Sequence, residues 1–296
     1  MTQPIIDSHF HIWRQEDLPW LKGPMVPRIF GPYEPIRRDY PIEEFLEDQS
    51  RSGIEKAVYV QTNWAKQDFE KEVAWVQATA DHTGWPHAIV GYADMTVDDV
   101  RPQLDRLTRY PLLRGVRMQL HWHENPDYRF APSAEQVLDP KVRANVARLK
   151  DYGLSFDLQL FPPQMRDGAE LVGENPDTDF ILTHTGMLTD LAPETRAAWE
   201  SGLSQLAVHP NLSAKLSGLG TFIHANDPAL IKFIVGRAVD ILGSDRLMFG
   251  SNFPIEKLWT DHAALTRAHR AATESFDAKA QADIFWTTAE RIYRPV

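Results

Sequence analysis

The sequence predicts a single-domain (β/α)8 barrel over residues 1–296, and three observations carry that prediction. Eight short apolar runs recur along the chain, separated by amphipathic segments. The runs are dense in Val, Ile, Leu and Phe, as expected of parallel strands covered on both faces. No Gly-x-Gly-x-x-Gly or phosphate-binding loop follows any run, which disfavours the doubly wound sheet that is the structural alternative.

In order, the strands are expected at residues 5–9, 57–62, 87–93, 114–120, 154–160, 179–184, 211–216 and 246–251. Helical periodicity marks residues 42–52, 69–83, 97–109, 140–152 and 228–242. Gly53 and Gly153 follow the first and fourth of these helices, where a left-handed residue ends a helix. Pro140, Pro193 and Pro228 sit at first-turn positions, and Asp139 and Asp227 precede two of them as N-caps. No low-complexity tract or linker divides the chain. A barrel of this kind must bury a large core, and 296 residues suffice for it, with roughly three-quarters of the unfolded surface removed from water.

One connection breaks the rhythm. Residues 12–41 hold Trp13, Trp20, Phe30, Tyr33 and six prolines. Loops of this length are functional or disordered, and disordered segments are poor in aromatics. Leaving the C-terminal end of the first strand, this one reads as a lid or wall over the barrel mouth.

Composition removes several classes of function. With no cysteine, disulfides, thiol nucleophiles, zinc ribbons and iron–sulfur clusters are excluded, so a metal must be held by His and oxygen ligands. Asp plus Glu total 41 against 31 Lys plus Arg, a net charge of −10, with no basic cluster to suggest nucleic acid. No basic leader and no apolar run of about 18 residues occurs, so a soluble cytoplasmic protein without membrane association is expected. The oligomeric state is open, a homodimer being the commonest form.

Catalytic groups of a barrel come from the C-terminal ends of its strands. That filter selects His9, His11, Gln61, Asp94, Arg117, Gln119, Asp157, Gln159, His184, Lys215 and Asn252. Strict alternation sends Asp7, His9 and His11 to one side of the first strand, the barrel interior. Two imidazoles one pleat apart can grip a metal ion, and His184 at the end of the sixth strand is the natural third ligand. Arg117 either holds a substrate carboxylate or pairs with a barrel aspartate. Lys215 invites the same argument, and Gln61 and Trp13 complete the expected substrate contacts.

These residues together resemble the amidohydrolase superfamily, within it the branch of sugar-lactone and 2-pyrone-4,6-dicarboxylate lactonases. The matching pieces are Ile6-Asp-Ser-His-Phe-His-Ile-Trp13, Arg38-Asp-Tyr40, Val58-Tyr-Val-Gln61, Gly115-Val-Arg117, Thr183-His-Thr-Gly186, His209-Pro-Asn211, Lys215-Leu-Ser-Gly-Leu219 and Arg246 to Pro254. They occur in order over nearly the whole chain. The resemblance implies His9, His11 and His184 as catalytic and metal-binding histidines, some members of the branch holding one divalent metal such as zinc or manganese and others none. It also implies that Arg117 contacts a substrate carbonyl or carboxylate. The family's eighth-strand segment is usually Gly-Ser-Asp-Trp-Pro, its aspartate activating water; here it is Gly250-Ser-Asn-Phe-Pro254. Asn252 can orient a water but cannot take its proton at neutral pH. Glu256 in the same loop is one candidate replacement.

The expected function is hydrolysis of a lactone of a sugar acid or other small acid, the substrate being anionic or sugar-derived. A decarboxylase or hydratase on the same barrel, and a non-catalytic binder of small acids, are the alternatives.

Overall fold

The computed structural model describes residues 3–296. Eight parallel strands form one sheet in chain order: β1 (Ile5–Phe10), β2 (Ile54–Val60), β3 (Ala88–Gly91), β4 (Leu113–Val116), β5 (Ser155–Leu158), β6 (Phe180–Leu182), β7 (Leu212–Leu216) and β8 (Leu247–Phe249). Every predicted run overlaps one of them. Six of the strands, β2 to β6 and β8, end earlier than the apolar runs because the chain leaves the sheet as it reaches the mouth. Pairing persists briefly past β4, where the Arg117 N–H bonds to the Gly91 carbonyl at 2.8 Å. Beyond their ends, β1 and β8 meet: Asn252 N–H donates to the His9 carbonyl at 2.7 Å and His11 N–H to the Phe253 carbonyl at 2.8 Å. Ser8 Oγ adds a bond to the Phe249 carbonyl at 2.7 Å.

The predicted punctuation acts as expected. Gly53 and Gly153 adopt φ of 76° and 62°. The Asp139 and Asp227 carboxylates accept from the first free N–H groups of helices Pro140–Val146 and Pro228–Leu242.

Burial separates two apolar layers. Ile6, Val58, Val60, Val90, Ile181 and Met248 fill the barrel floor, closed below by Ile292 and Tyr293 of the terminal helix Thr288–Tyr293. The other strand faces pack outward on the helices, as with Phe10 stacked on Phe45 at 4.0 Å between ring centroids. Ile6 inside and Phe10 outside cannot both follow strict alternation. The β1–β2 register resolves this: Asp7 pairs with Ala57 but Phe10 with Tyr59, so β1 carries an extra residue. The bulge corrects the expectation that Asp7 faces inward with the two histidines. Its Oδ2 instead lies 3.7 Å from Nε2 of His262, on the helix His262–Thr273, and its Oδ1 accepts from Ser251 N–H at 2.8 Å.

The wall between β4 and β5 is close-packed. A Cβ on Gly115 would collide with Ser155 Oγ and lie 3.0 Å from the Ser155 carbonyl oxygen. Gly115→Ala should therefore lower stability by about 1–3 kcal/mol, measured as a lower urea midpoint at unchanged slope.

Candidate active site

The long connection after β1 folds as an ordered wall. Trp13 pairs with Tyr40 across its base and donates its indole N–H to the Arg38 carbonyl at 2.8 Å. Trp20 donates to the Thr62 carbonyl at 2.9 Å and packs against Trp13, Phe30 and Tyr33. Under this wall lies a cavity at the C-terminal end of the barrel. Trp13, Gln61, Arg117, Gln119, His11, Gln159, His184 and Asn252, all singled out by the sequence, line it. Its mixed polar and apolar lining is that of a small-molecule site.

His9 sits below His11 and His184, its ring centroid 5.0 Å from the first and 4.8 Å from the second. His11 Nδ1 donates to the Val60 carbonyl at 2.7 Å, which leaves Nε2 as the ring's free lone pair. His184 Nδ1 bonds to Ser217 Oγ at 2.9 Å. Both nitrogens of His9 are buried without a partner. Burial lowers the pKa of all three rings, that of His11 to about 3 with Arg117 as the next cause, so they are neutral imidazoles at pH 7. Neutral imidazoles with one nitrogen anchored and one free are the donors a divalent ion such as zinc takes. The orphaned His9 nitrogens fit the same role. Among the described residues no group of three His, Asp or Glu side chains is drawn together around an ion position.

Backbone strain gathers here. His184, Thr185 and Met187 have φ of 54°, 48° and 51°, and Asn252 has 56°. Side chains in this region cost of order 1–3 kcal/mol each, which the barrel packing must hold. Gly218 makes room for His184: a Cβ there would lie 2.6 Å from its Nδ1.

Arg117 is buried and makes one bond, from Nη2 to the Gln61 carbonyl at 2.6 Å, while its Nε has no partner. Burial draws its pKa down to about 10, so it stays charged. It does not pair directly with an aspartate. Lys215 does: its Nζ lies 2.6 Å from Asp157 Oδ2, with both side chains fully buried, and Tyr293 donates to Asp157 Oδ1 at 2.7 Å. Lys215 also sits 4.8 Å from the Tyr293 ring centroid. Expected to touch substrate, it instead lies below the cavity, holding the barrel centre together. Asp94 also misses the cavity, accepting from Thr96 in its own turn and from Lys66 of the segment after β2.

Several cavity residues were not among the sequence's site calls. Arg28 and Ile29 come from the long wall, and Thr221 from the loop after β7. Position in a strand-end loop is the only signal they carry. Glu256, considered from sequence, stands behind Asn252. Its N–H bonds to the Asn252 carbonyl at 3.3 Å, its Oε2 accepts from Trp259 Nε1 at 2.7 Å, and its Oε1 is buried and unpartnered. Burial pushes its pKa up to about 8, against the hydrogen bond from Trp259.

A family model described as Amidohydrolase matches residues 6–294. An uncharacterized protein of Sinorhizobium fredii is 36% identical over 98% of this chain and 98% of its own. An L-fucono-1,5-lactonase of Burkholderia ambifaria is 26% identical over 98% of this chain and 95% of its own. Among solved structures, an amidohydrolase of Burkholderia multivorans with bound zinc superposes with a TM-score of 0.82 at 26% identity, covering 99% of this chain and 100% of that one.

The buried ion pair gives a stability test. Asp157→Asn strands the Lys215 charge and should cost about 3–5 kcal/mol in chemical denaturation. The double variant Asp157→Leu, Lys215→Met should recover most of that loss.

Proposed function

The chain belongs to the amidohydrolase family and is a hydrolase, and we propose that it opens a lactone by attack of water on the ring carbonyl. The observation that carries this reading is the convergence of Arg117, His11, His184 and Asn252 on one cavity at the barrel mouth, with the His9 ring packed against both imidazoles. Similarity to the L-fucono-1,5-lactonase supports it.

In this reading the oxygen of one water bonds to the carbonyl carbon and the ring C–O bond breaks. The ring oxygen takes a proton and the product is a hydroxy acid. Negative charge grows on the carbonyl oxygen, and the free Nε–H of Arg117 and the unpartnered Nε2 of Gln61 are donors placed to stabilise it. Their value is large because the site is buried and their orientation is already fixed. A divalent ion, zinc or manganese, held by His9, His11 and His184 would supply Lewis-acid polarisation of the carbonyl and a lower pKa for the water. Trp13 and the rest of the wall exclude bulk solvent.

Asn252 orients the water through Oδ1. Glu256 is a positioning residue: once ionised, it accepts from the Asn252 amide N–H and turns Oδ1 toward the cavity. Protonated, it donates to that oxygen and competes with the water. The ionised form is the active one, so activity should rise with pH through about 8. Glu256→Gln should remove that rise while leaving the protein folded.

Turnover is tested by acid release from a panel that includes L-fucono-1,5-lactone and 2-pyrone acids. Carbon dioxide in place of acid would move the reading to a decarboxylase, and calorimetric binding without turnover to a binder. Asn252→Asp should retain or raise kcat, and Asn252→Ala should lower it roughly 100-fold by loss of orientation. His9→Ala should abolish turnover; a fully active His9→Ala would overturn the site.

A further inference from the structure

The charged groups around the cavity do not balance. Arg28, Arg117 and Arg129 line it, against the single carboxylate of Asp127. Arg129 is already engaged, donating to the His123 and Glu124 carbonyls at 2.6 Å each. Arg117 uses only Nη2, on the Gln61 carbonyl, and the Nε of both Arg28 and Arg117 is buried without a partner. Burial, and then the charges of Arg117 and Arg28, lower the pKa of His121, whose ring packs against Phe130 and Phe161. Arg28 lies over the Trp20 ring, 5.6 Å from its centroid, so the wall holds its guanidinium plane in place without neutralising it. The unpartnered Nε2 of Gln61 adds a further donor. This surplus of donors facing one cavity favours an anionic occupant, because a buried guanidinium N–H is costly unless it meets an acceptor.

We propose that the substrate is a lactone carrying a carboxylate, which Arg28 of the first loop holds while the ring carbonyl faces Arg117. The inference rests on the lactonase reading and narrows it, since neutral sugar lactones leave Arg28 unanswered. Carboxylate and guanidinium meet in charge-assisted, two-pronged geometry, and Lys lacks that fork. Arg28 therefore sets specificity and takes no part in bond breaking.

The test compares γ-butyrolactone with γ-butyrolactone-γ-carboxylate, and L-fucono-1,5-lactone with 2-pyrone-4,6-dicarboxylate, in the wild type, Arg28→Gln and Arg28→Lys. The wild type should favour the carboxylate-bearing member of each pair. Arg28→Gln should lower that preference, as a ratio of kcat/KM values, by roughly 10- to 100-fold, mostly through KM. Arg28→Lys should restore part of it, and the KM for the anion should rise with ionic strength. A ratio unchanged in Arg28→Gln, or a wild-type preference for the neutral lactones, would overturn the proposal. Calorimetric titration with glutarate separates it from the hydrolysis reading. Glutarate bound by the wild type and lost in Arg28→Gln supports the anion site even if no lactone is opened. Neutral lactones opened with no glutarate binding leaves hydrolysis standing and removes the anion site.

Discussion

Closure of β8 onto β1 is the constraint on which the site depends. The Asn252 N–H to His9 carbonyl bond and the His11 N–H to Phe253 carbonyl bond join the chain's two ends at the level of the mouth. They fix Asn252 beside the histidine pair, although 243 positions separate Asn252 from His9 in the sequence. The bulge in β1 belongs to the same joint. It turns Asp7 away from the interior, where its carboxylate accepts from Ser251, and lets His9 and His11 both face in. One extra residue thus sets both the pairing and the direction of the imidazoles.

Below that joint, polar groups occupy a barrel centre that apolar side chains fill in the floor layer. Lys215, Asp157 and Tyr293 satisfy one another in complete burial, the tyrosine arriving from the terminal helix. The arrangement ties the last helix to β5 and β7. It also places a positive charge under His9, which adds to burial in keeping that ring neutral. Arg117 acts similarly on His184 and His11. Structure and chemistry are coupled here: the cations that hold the barrel centre also keep the imidazoles unprotonated and free to act as lone-pair donors.

The long first loop earns its order from indole and arginine bonds to backbone carbonyls. Trp13 and Trp20 each donate to one, and Arg37 donates to those of Leu21 and Gly23. A proline-rich segment has few N–H groups to form its own secondary structure, so side chains supply the donors. The result is a rigid wall, and Arg28 on it is held in place rather than left to wander in solvent.

Much of this was legible in the chain. Periodicity and helix punctuation located all eight strands, since short buried parallel strands and capped helices are local patterns. His9, His11, Arg117, His184 and Asn252 were legible because strand ends in a barrel converge by topology. The aromatic content of residues 12–41 announced an ordered wall. What the sequence could not reveal depends on distant partners. Strict alternation placed Asp7 inside, and only pairing with β2 exposes the inserted residue. Lys215 reads as a substrate contact until Asp157, 58 positions away, is found against it. Glu256 looks like any loop carboxylate until its burial behind Asn252 shifts its titration. Arg28 is indistinguishable in sequence from Arg37 and Arg38, which bond to carbonyls and to Glu44. Local order is written in neighbouring residues, whereas charge balance, burial and unpaired donors are properties of a surface that exists only once the barrel has closed.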